Sequence, residues 1–264
     1  MFLLKIIPII RLPFQENYYF YYSSEDLKKG SIVEINFKNR NCFGLVSESA
    51  PVLKFKNLIK KVPYRLKKIN KIVIDFPLFN TPLFLLANFL SQYYYCSLPL
   101  AIKTILPSNL KSFFNFLKKE QIDLNRLEDP KELSEIVITE TRDFSLITKK
   151  ISAYSSHYQV LFLTPTNFHV SYYQEKLPNS VIFQKKSKKE NFKIFKEILE
   201  KKPFLILGTR SAVFLPFQNL KLVIVSDPEN QSYKSWDQKP FYQAIRIAQK
   251  LAFYHQAELI FYYD

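Results

Sequence analysis

Two hydrophobic periodicities divide the chain. Over roughly the first hundred residues the apolar positions follow strand spacing. Ile32, Val33, Ile35 and Phe37 are interrupted by Glu34 and Asn36, a polar tip Lys38-Asn39-Arg40-Asn41 follows, and residues 42–46 return as an apolar partner. That pattern predicts a β-hairpin. Residues 3–10 read as an earlier strand, residues 18–22 form an aromatic run, and a further strand is expected near Leu58. Gly30 closes the turn Leu27-Lys28-Lys29-Gly30, where a residue without Cβ can take a positive φ. At Thr81-Pro82 the spacing changes to a helical one, with Thr81 suited to cap and Pro82 to the first position. Leu85, Leu86, Phe89, Leu90 and Tyr93 fall on one face of that helix.

Residues 107–129 are polar and helical in pattern, with Phe113, Phe114, Phe116 and Leu117 on one side, and Asp129-Pro130 marks a boundary. From Lys131 short apolar blocks alternate with amphipathic stretches. Strands are predicted over 136–138, 160–163, 180–183, 204–207, 222–225 and 259–262, and helices over 144–155, 191–201 and 240–254. Strands interleaved with helices predict a parallel sheet. The expected organisation is a β-rich segment (1–106), a helical linker (107–130) and an α/β lobe (131–264).

Charge narrows the partners. The chain has 264 residues, 38 lysines and arginines against 23 acids, and a net charge of +15. Such a balance suits an anionic partner, nucleic acid or a membrane surface, although a biased genome also yields lysine-rich chains. Lysine greatly outnumbers arginine, which suits phosphate contact more than base reading. Two cysteines form neither a disulfide framework nor a zinc spacing, and a reducing cytoplasmic setting fits. The apolar N-terminus, interrupted by Lys5, Pro8 and Arg11, reads as a strand and not a signal peptide. Residues 82–100 are the one candidate membrane span, but Asn88, Ser91 and Gln92 favour a buried helix. His157, His169 and His255 are too dispersed for a metal site, Ser211 has no evident base, and the basic run 185–189 is either a solvated loop or a contact to a DNA backbone.

The stretch 207–234, LGTRSAVFLPFQNLKLVIVSDPENQSYK, carries a recognisable wording. It resembles the segment leading into the Walker B motif of the PriA replication-restart helicase family, whose acidic Asp-Glu-Glu-His box is Ser226-Asp227-Pro228-Glu229 here. Arg210 lies beside Gly208 in the same frame. The first segment is similar to the 3′-DNA-binding domain of that family: Tyr19-Phe20-Tyr21, Lys29-Gly30, Val33 to Phe37, Lys38-Asn39-Arg40, Gly44-Leu45-Val46, Gln92 to Cys96 and Ile105-Leu106-Pro107 occupy the places of its motifs. Pro240-Phe241-Tyr242-Gln243-Ala244 matches a Pro-x-Tyr-x-Ala of the motor. The resemblance implies a small β-rich DNA-binding domain followed by a RecA-like lobe. It also implies contacts to DNA through Tyr19, Phe20, Tyr21, Lys38, Arg40 and Lys56. Phe20 stands where the family has an Asp that helps to recognise the terminal nucleotide. The aromatic run can serve either base stacking or barrel packing.

The same comparison sets an expectation about chemistry. A phosphate-gripping loop of the form G-x-x-x-x-G-K-[ST] needs glycines so that backbone amides can approach the anion. No glycine occurs between Gly44 and Gly208, and the corresponding place reads Thr139-Glu140-Thr141-Arg142-Asp143. Ser226 replaces the metal-holding acid, and Asp227 suits a turn as well as a metal. The chain ends where the family continues into a second motor lobe and a zinc module. The expectation is therefore a DNA-binding, PriA-like primosomal protein with no ATPase or helicase activity, no catalytic residue, no cofactor and no metal. A scaffold for replication or primosome proteins is the alternative, and a residual ATPase a third reading.

Overall fold

In the computed structural model, which describes residues 1–14, 17–55, 64–120, 122, 133–184 and 188–264, the alternating N-terminal segment forms six strands. They are β1 (Phe2–Pro8), β2 (Tyr19–Ser23), β3 (Ile32–Phe37), β4 (Arg40–Pro51), β5 (Lys67–Lys68) and β6 (Lys71–Ile74). Their order across the sheet is β5-β2-β1-β4-β3-β6. β5 and β6 are neighbours in the chain yet lie at opposite ends of that order. The Ile69 amide donates to Tyr22 O at 3.1 Å and the Asn70 amide to Glu34 O at 2.8 Å. One crossing segment thus bonds both edges and closes the sheet into a small barrel. Leu4, Ile6, Val33, Ile35, Val46 and Ile69 fill it.

The predicted hairpin forms as β3 and β4. Its tip is a two-residue turn, with Lys38 at φ 46° and Asn39 at φ 62°. Both central residues are left-handed, as the twist of a tight hairpin requires. Gly30 takes φ +94°, and a Cβ there would sit 2.4 Å from Phe79 O. The strand expected near Leu58 lies outside the described residues. β5 and β6 had no sequence signal, because lysines flank a very short apolar run.

Three helices follow: α1 (Thr81–Tyr93), α2 (Leu98–Ile105) and α3 (Leu110–Lys119). The apolar stretch 82–100 is therefore two short helices and the turn between them. Among the described residues no helix is long and apolar enough to cross a membrane. Leu86, Ala87 and Leu90 form the buried stripe of α1. Tyr93, expected on that stripe, is instead 54% exposed. α3, read from the sequence as part of a linker, buries Phe113, Phe114 and Leu117, and Phe114 stands edge-on to Phe43 of β4 at 4.9 Å. The chain divides into two compact units, Met1–Asn80 with Ala87–Lys119, and Thr81–Leu86 with Glu120–Asp264.

The second unit holds β7 (Ile138–Thr141), β8 (Gln159–Leu163), β9 (Val181–Phe183), β10 (Phe204–Gly208), β11 (Leu220–Ser226) and β12 (Glu258–Tyr262). All pair in parallel, in the order β7-β12-β11-β8-β10-β9. The connecting helices are α4 (Phe144–Ser155), α5 (Asn167–Lys176), α6 (Lys188–Leu199) and α7 (Ala244–His255). This is a RecA-like α/β lobe that follows, along the chain, a β-rich N-terminal unit. Central strands are apolar throughout, as burial on both faces demands: Val160, Leu161, Phe162 and Leu163 of β8 are all 0% exposed. Edge strand β7 starts two residues later than predicted, and Val137 and Ile138 remain exposed because only β12 flanks it. α5 went unpredicted; only Val170 and Tyr173 of its ten residues are buried, too few to register as a stripe. Helix α7 begins at Ala244 and not at Pro240, which is joined to Lys239 by a cis peptide.

Candidate nucleic-acid interface

The pleat of β2 separates the predicted aromatic run onto two faces. Tyr21 points into the barrel, is buried, and donates its hydroxyl to Asn36 O at 2.9 Å. Burial raises its phenol well above the ordinary range, with Cys42 and Tyr64 adding to the effect. Tyr19 packs on the same side, edge-on to Phe37 at 4.6 Å and tilted against Tyr64 at 5.9 Å. Phe20 lies on the outer face. Its register partner on β1 is Lys5, and its ring stands edge-on to Tyr18 at 5.7 Å. The Lys5 ammonium sits 4.0 Å above the Tyr18 ring. The Phe20 amide donates to the Tyr64 hydroxyl at 2.9 Å.

Lys38 and Arg40 flank the hairpin tip, and Lys38 Nζ lies 5.4 Å from the Phe37 ring that Tyr19 touches. The structure thus gathers Tyr19, Phe20 and Lys38 around Phe37 and Tyr64. Lys56 lies outside the described residues. A polar net that the sequence did not suggest adjoins this cluster. Asn36 and Asn70 both donate amide protons to Asn41 Oδ1, at 3.4 and 3.1 Å, and Lys67 Nζ donates to Asn36 Oδ1 at 3.0 Å. These partners are 5 to 31 residues apart in sequence, so no local pattern announces them.

The second place to examine is the rim where the parallel strands end, the usual ligand side of such sheets. After β7 the chain turns directly into α4. Asp143 caps that helix, its carboxylate accepting from the Ser145 amide at 2.8 Å. Hydrogen bonds from Ser145, hydroxyl first and then amide, hold the Asp143 carboxyl below the usual carboxylate range. A helix N-terminus is where a phosphate would be gripped, and here an internal anion holds it. Glu140 and Glu229 are close enough to Tyr263 to raise its phenol, after burial, so the surrounding rim is acidic too.

Ser226 ends β11 fully buried, its hydroxyl directed at Leu163 O at 3.4 Å. The buried Tyr233 hydroxyl lies 2.7 Å from Ser226 O and 3.0 Å from Leu163 O and covers the position. Asp227 adopts φ 44°, and its carboxylate accepts the Asp264 amide at 3.3 Å. Arg210 is engaged in structure: Nη1 donates to Lys234 O at 3.0 Å and Nη2 to Asp237 Oδ1 at 3.1 Å. Glu229 is exposed. Among the described residues no group of three His, Cys, Asp or Glu side chains could hold a metal ion.

Comparison with known proteins gives the frame for both places. Residues 9–107 match the PriA 3′DNA-binding domain (3′BD). The chain is 26% identical over 245 residues to the replication restart protein PriA of Rickettsia prowazekii, covering 82% of this chain and 36% of that protein. It is 27% identical over 246 residues to the replication restart protein PriA of Helicobacter pylori strain 26695, covering 85% and 37%.

Over most of its length the chain is similar to proteins of the PriA family.

A shorter match, 50% identical over 44 residues, links it to the replication restart protein PriA of Chlamydia trachomatis. The matched stretch spans about a third of the length of the curated PriA relatives. The barrel with its aromatic cluster lies within the matched 3′BD, apart from the first eight residues. The acidic rim lies in the RecA-like lobe, at the positions that the resemblance aligned with the nucleotide motifs of a PriA motor.

Proposed function

We propose that the chain binds single-stranded or branched DNA through the barrel, as a replication-restart protein that neither holds nor hydrolyses nucleotide. The observation carrying the DNA reading is the outward-facing ring of Phe20, beside Tyr18 and the Lys5 ammonium, inside a region that matches a 3′DNA-binding domain. Phe20 is half-buried and its neighbour Tyr18 is exposed; an aromatic ring with an open face stacks on any base, and a lysine beside it meets the phosphate. Phe20 has no carboxylate to accept a hydrogen bond from a terminal hydroxyl, so binding is general along single strands. Partners on this reading are DNA and, through it, other replication proteins; a membrane is not among them. The setting is the cytoplasm, where such DNA is found.

Fluorescence anisotropy with a labelled single strand tests the first half. Phe20→Ala should weaken binding about five- to hundred-fold, the loss of one stacked base at about 1–3 kcal/mol. Wild-type affinity in that variant would defeat the proposal. The second half rests on the Asp143 carboxylate at the head of α4 and on the buried Ser226. Titration calorimetry with ATP and magnesium should give no heat of binding up to about millimolar nucleotide, a Kd bound corresponding to about −4 kcal/mol. A clear one-to-one isotherm would revive an ATPase.

A further inference from the structure

We propose that Tyr93 and Tyr95, at the end of α1, form a second stacking station for unpaired nucleotides, several bases along the strand from Phe20. The proposal rests on the DNA-binding reading above. It starts from how α1 ends. The Cys96 amide donates to Ser91 O at 3.0 Å and the Tyr94 amide to Leu90 O at 3.1 Å, which places Tyr95 at the left-handed position that closes a helix. Its φ is 48°. Glycine or asparagine serves that position with less strain. Burial does not compensate the tyrosine, because its side chain is 85% exposed. A bulky residue held in a disfavoured conformation with its ring in water has no packing role.

The neighbouring rings make a platform. Phe89 and Tyr93 are stacked at 5.0 Å with 24° between planes, and Tyr94 stands edge-on to Tyr93 at 5.0 Å. Phe89 and Tyr94 are partly covered, whereas Tyr93 offers an open face. This platform is tied to the Phe20 site. The Leu98 amide, three residues after Tyr95, donates to Asn17 Oδ1 at 3.1 Å, and Asn17 immediately precedes Tyr18. Covalent reach alone keeps Tyr18 and Tyr95 within on the order of 20 Å, at 3.8 Å per residue. Two ring clusters, with Tyr18 exposed in one and Tyr93 and Tyr95 in the other, therefore flank one hydrogen bond, in a chain of net charge +15. Unpaired bases are the fitting ligand: they present π-faces, and their phosphates suit a lysine-rich surface. A duplex keeps its base faces stacked and offers none.

Binding of fluorescein-labelled oligothymidylates of about 5 and about 20 nucleotides to the full chain tests this at low salt. The double variant Tyr93→Ala/Tyr95→Asn should bind the long strand at least about tenfold more weakly and the short strand as wild type does. Retained short-strand binding reports that the barrel is folded, and the melting temperature should hold or rise, since asparagine suits a left-handed position. Tyr93→Phe/Tyr95→Phe, which keeps both rings, should bind both strands like wild type. Phe20→Ala should weaken both. Unchanged long-strand affinity in the alanine–asparagine variant, or equal losses on the two lengths, overturns the second station, while a Phe20→Ala defect leaves the DNA-binding reading standing. Loss of long-strand binding in the phenylalanine variant also overturns it. Failure of the wild type to bind either strand overturns both.

Discussion

Raising the salt from about 50 to about 200 mM should weaken DNA binding by about fifty-fold. About four phosphates neutralised on a single strand give a slope of about −0.7 per contact, or about −2.8 in log affinity against log salt. Four cations sit at the barrel cluster among the described residues: Lys5 over Tyr18, Lys38 and Arg40 at the hairpin tip, and Lys67 beside Asn36. Substituting Lys38→Gln and Arg40→Gln should cut the slope to about half while affecting all sequences alike, because phosphate contacts carry no base information. Titration of a fork substrate at the two concentrations measures it. A flat salt response would show that the charge serves something other than DNA. The scaffold alternative would then gain, and nuclease-resistant protein partners in a pull-down would support it.

Replacing Gln159 by alanine should destabilise the RecA-like unit by about 2–4 kcal/mol. Gln159 begins the central strand β8 and is 0% exposed. Its Nε2 donates to Ile198 O at 2.8 Å, and its Oε1 accepts from the Gln218 and Asn219 amides at 2.9 and 3.1 Å. One side chain therefore satisfies the end of α6 and the approach to β11 together. Truncation leaves the Gln218 and Asn219 amides without their acceptor, at about 1–3 kcal/mol for each that water does not reach, whereas Ile198 O keeps the Lys201 amide at 3.0 Å. Gln159→Leu restores volume but no hydrogen bond, so it should fall nearly as far as alanine in urea unfolding. Recovery to wild-type stability by leucine would mean that packing, not hydrogen bonding, is what the glutamine supplies.

Some of the site was legible and some was not, and the division follows distance along the chain. The hairpin of β3 and β4 was readable because its alternation and its Lys38-Asn39 turn lie within fifteen residues. The frame from Gly208 to Lys234 was readable through its resemblance to one contiguous stretch of the PriA family. β5 and β6 were not, since two and four residues gain strand character only by bonding β2 and β3. Tyr93 was placed on the wrong face of α1 because helical periodicity stays ambiguous at a helix end. Tyr64 could not be found at all: it meets Phe20 across 44 residues.

By itself the sequence determined the order and type of most elements, the excess of positive charge, and the want of glycine where a phosphate loop would need it. Those depend on local backbone preference and composition, which each short stretch carries alone. Only the tertiary structure decided that Phe20 lies half-buried on the outer face while Tyr21 is sealed in the barrel, that Asp143 occupies the head of α4, and that Ser226 lies beneath Tyr233. Each of those outcomes depends on which distant segment packs against the residue, and the closing of a sheet sets that, not any property of the residue's neighbours in the chain.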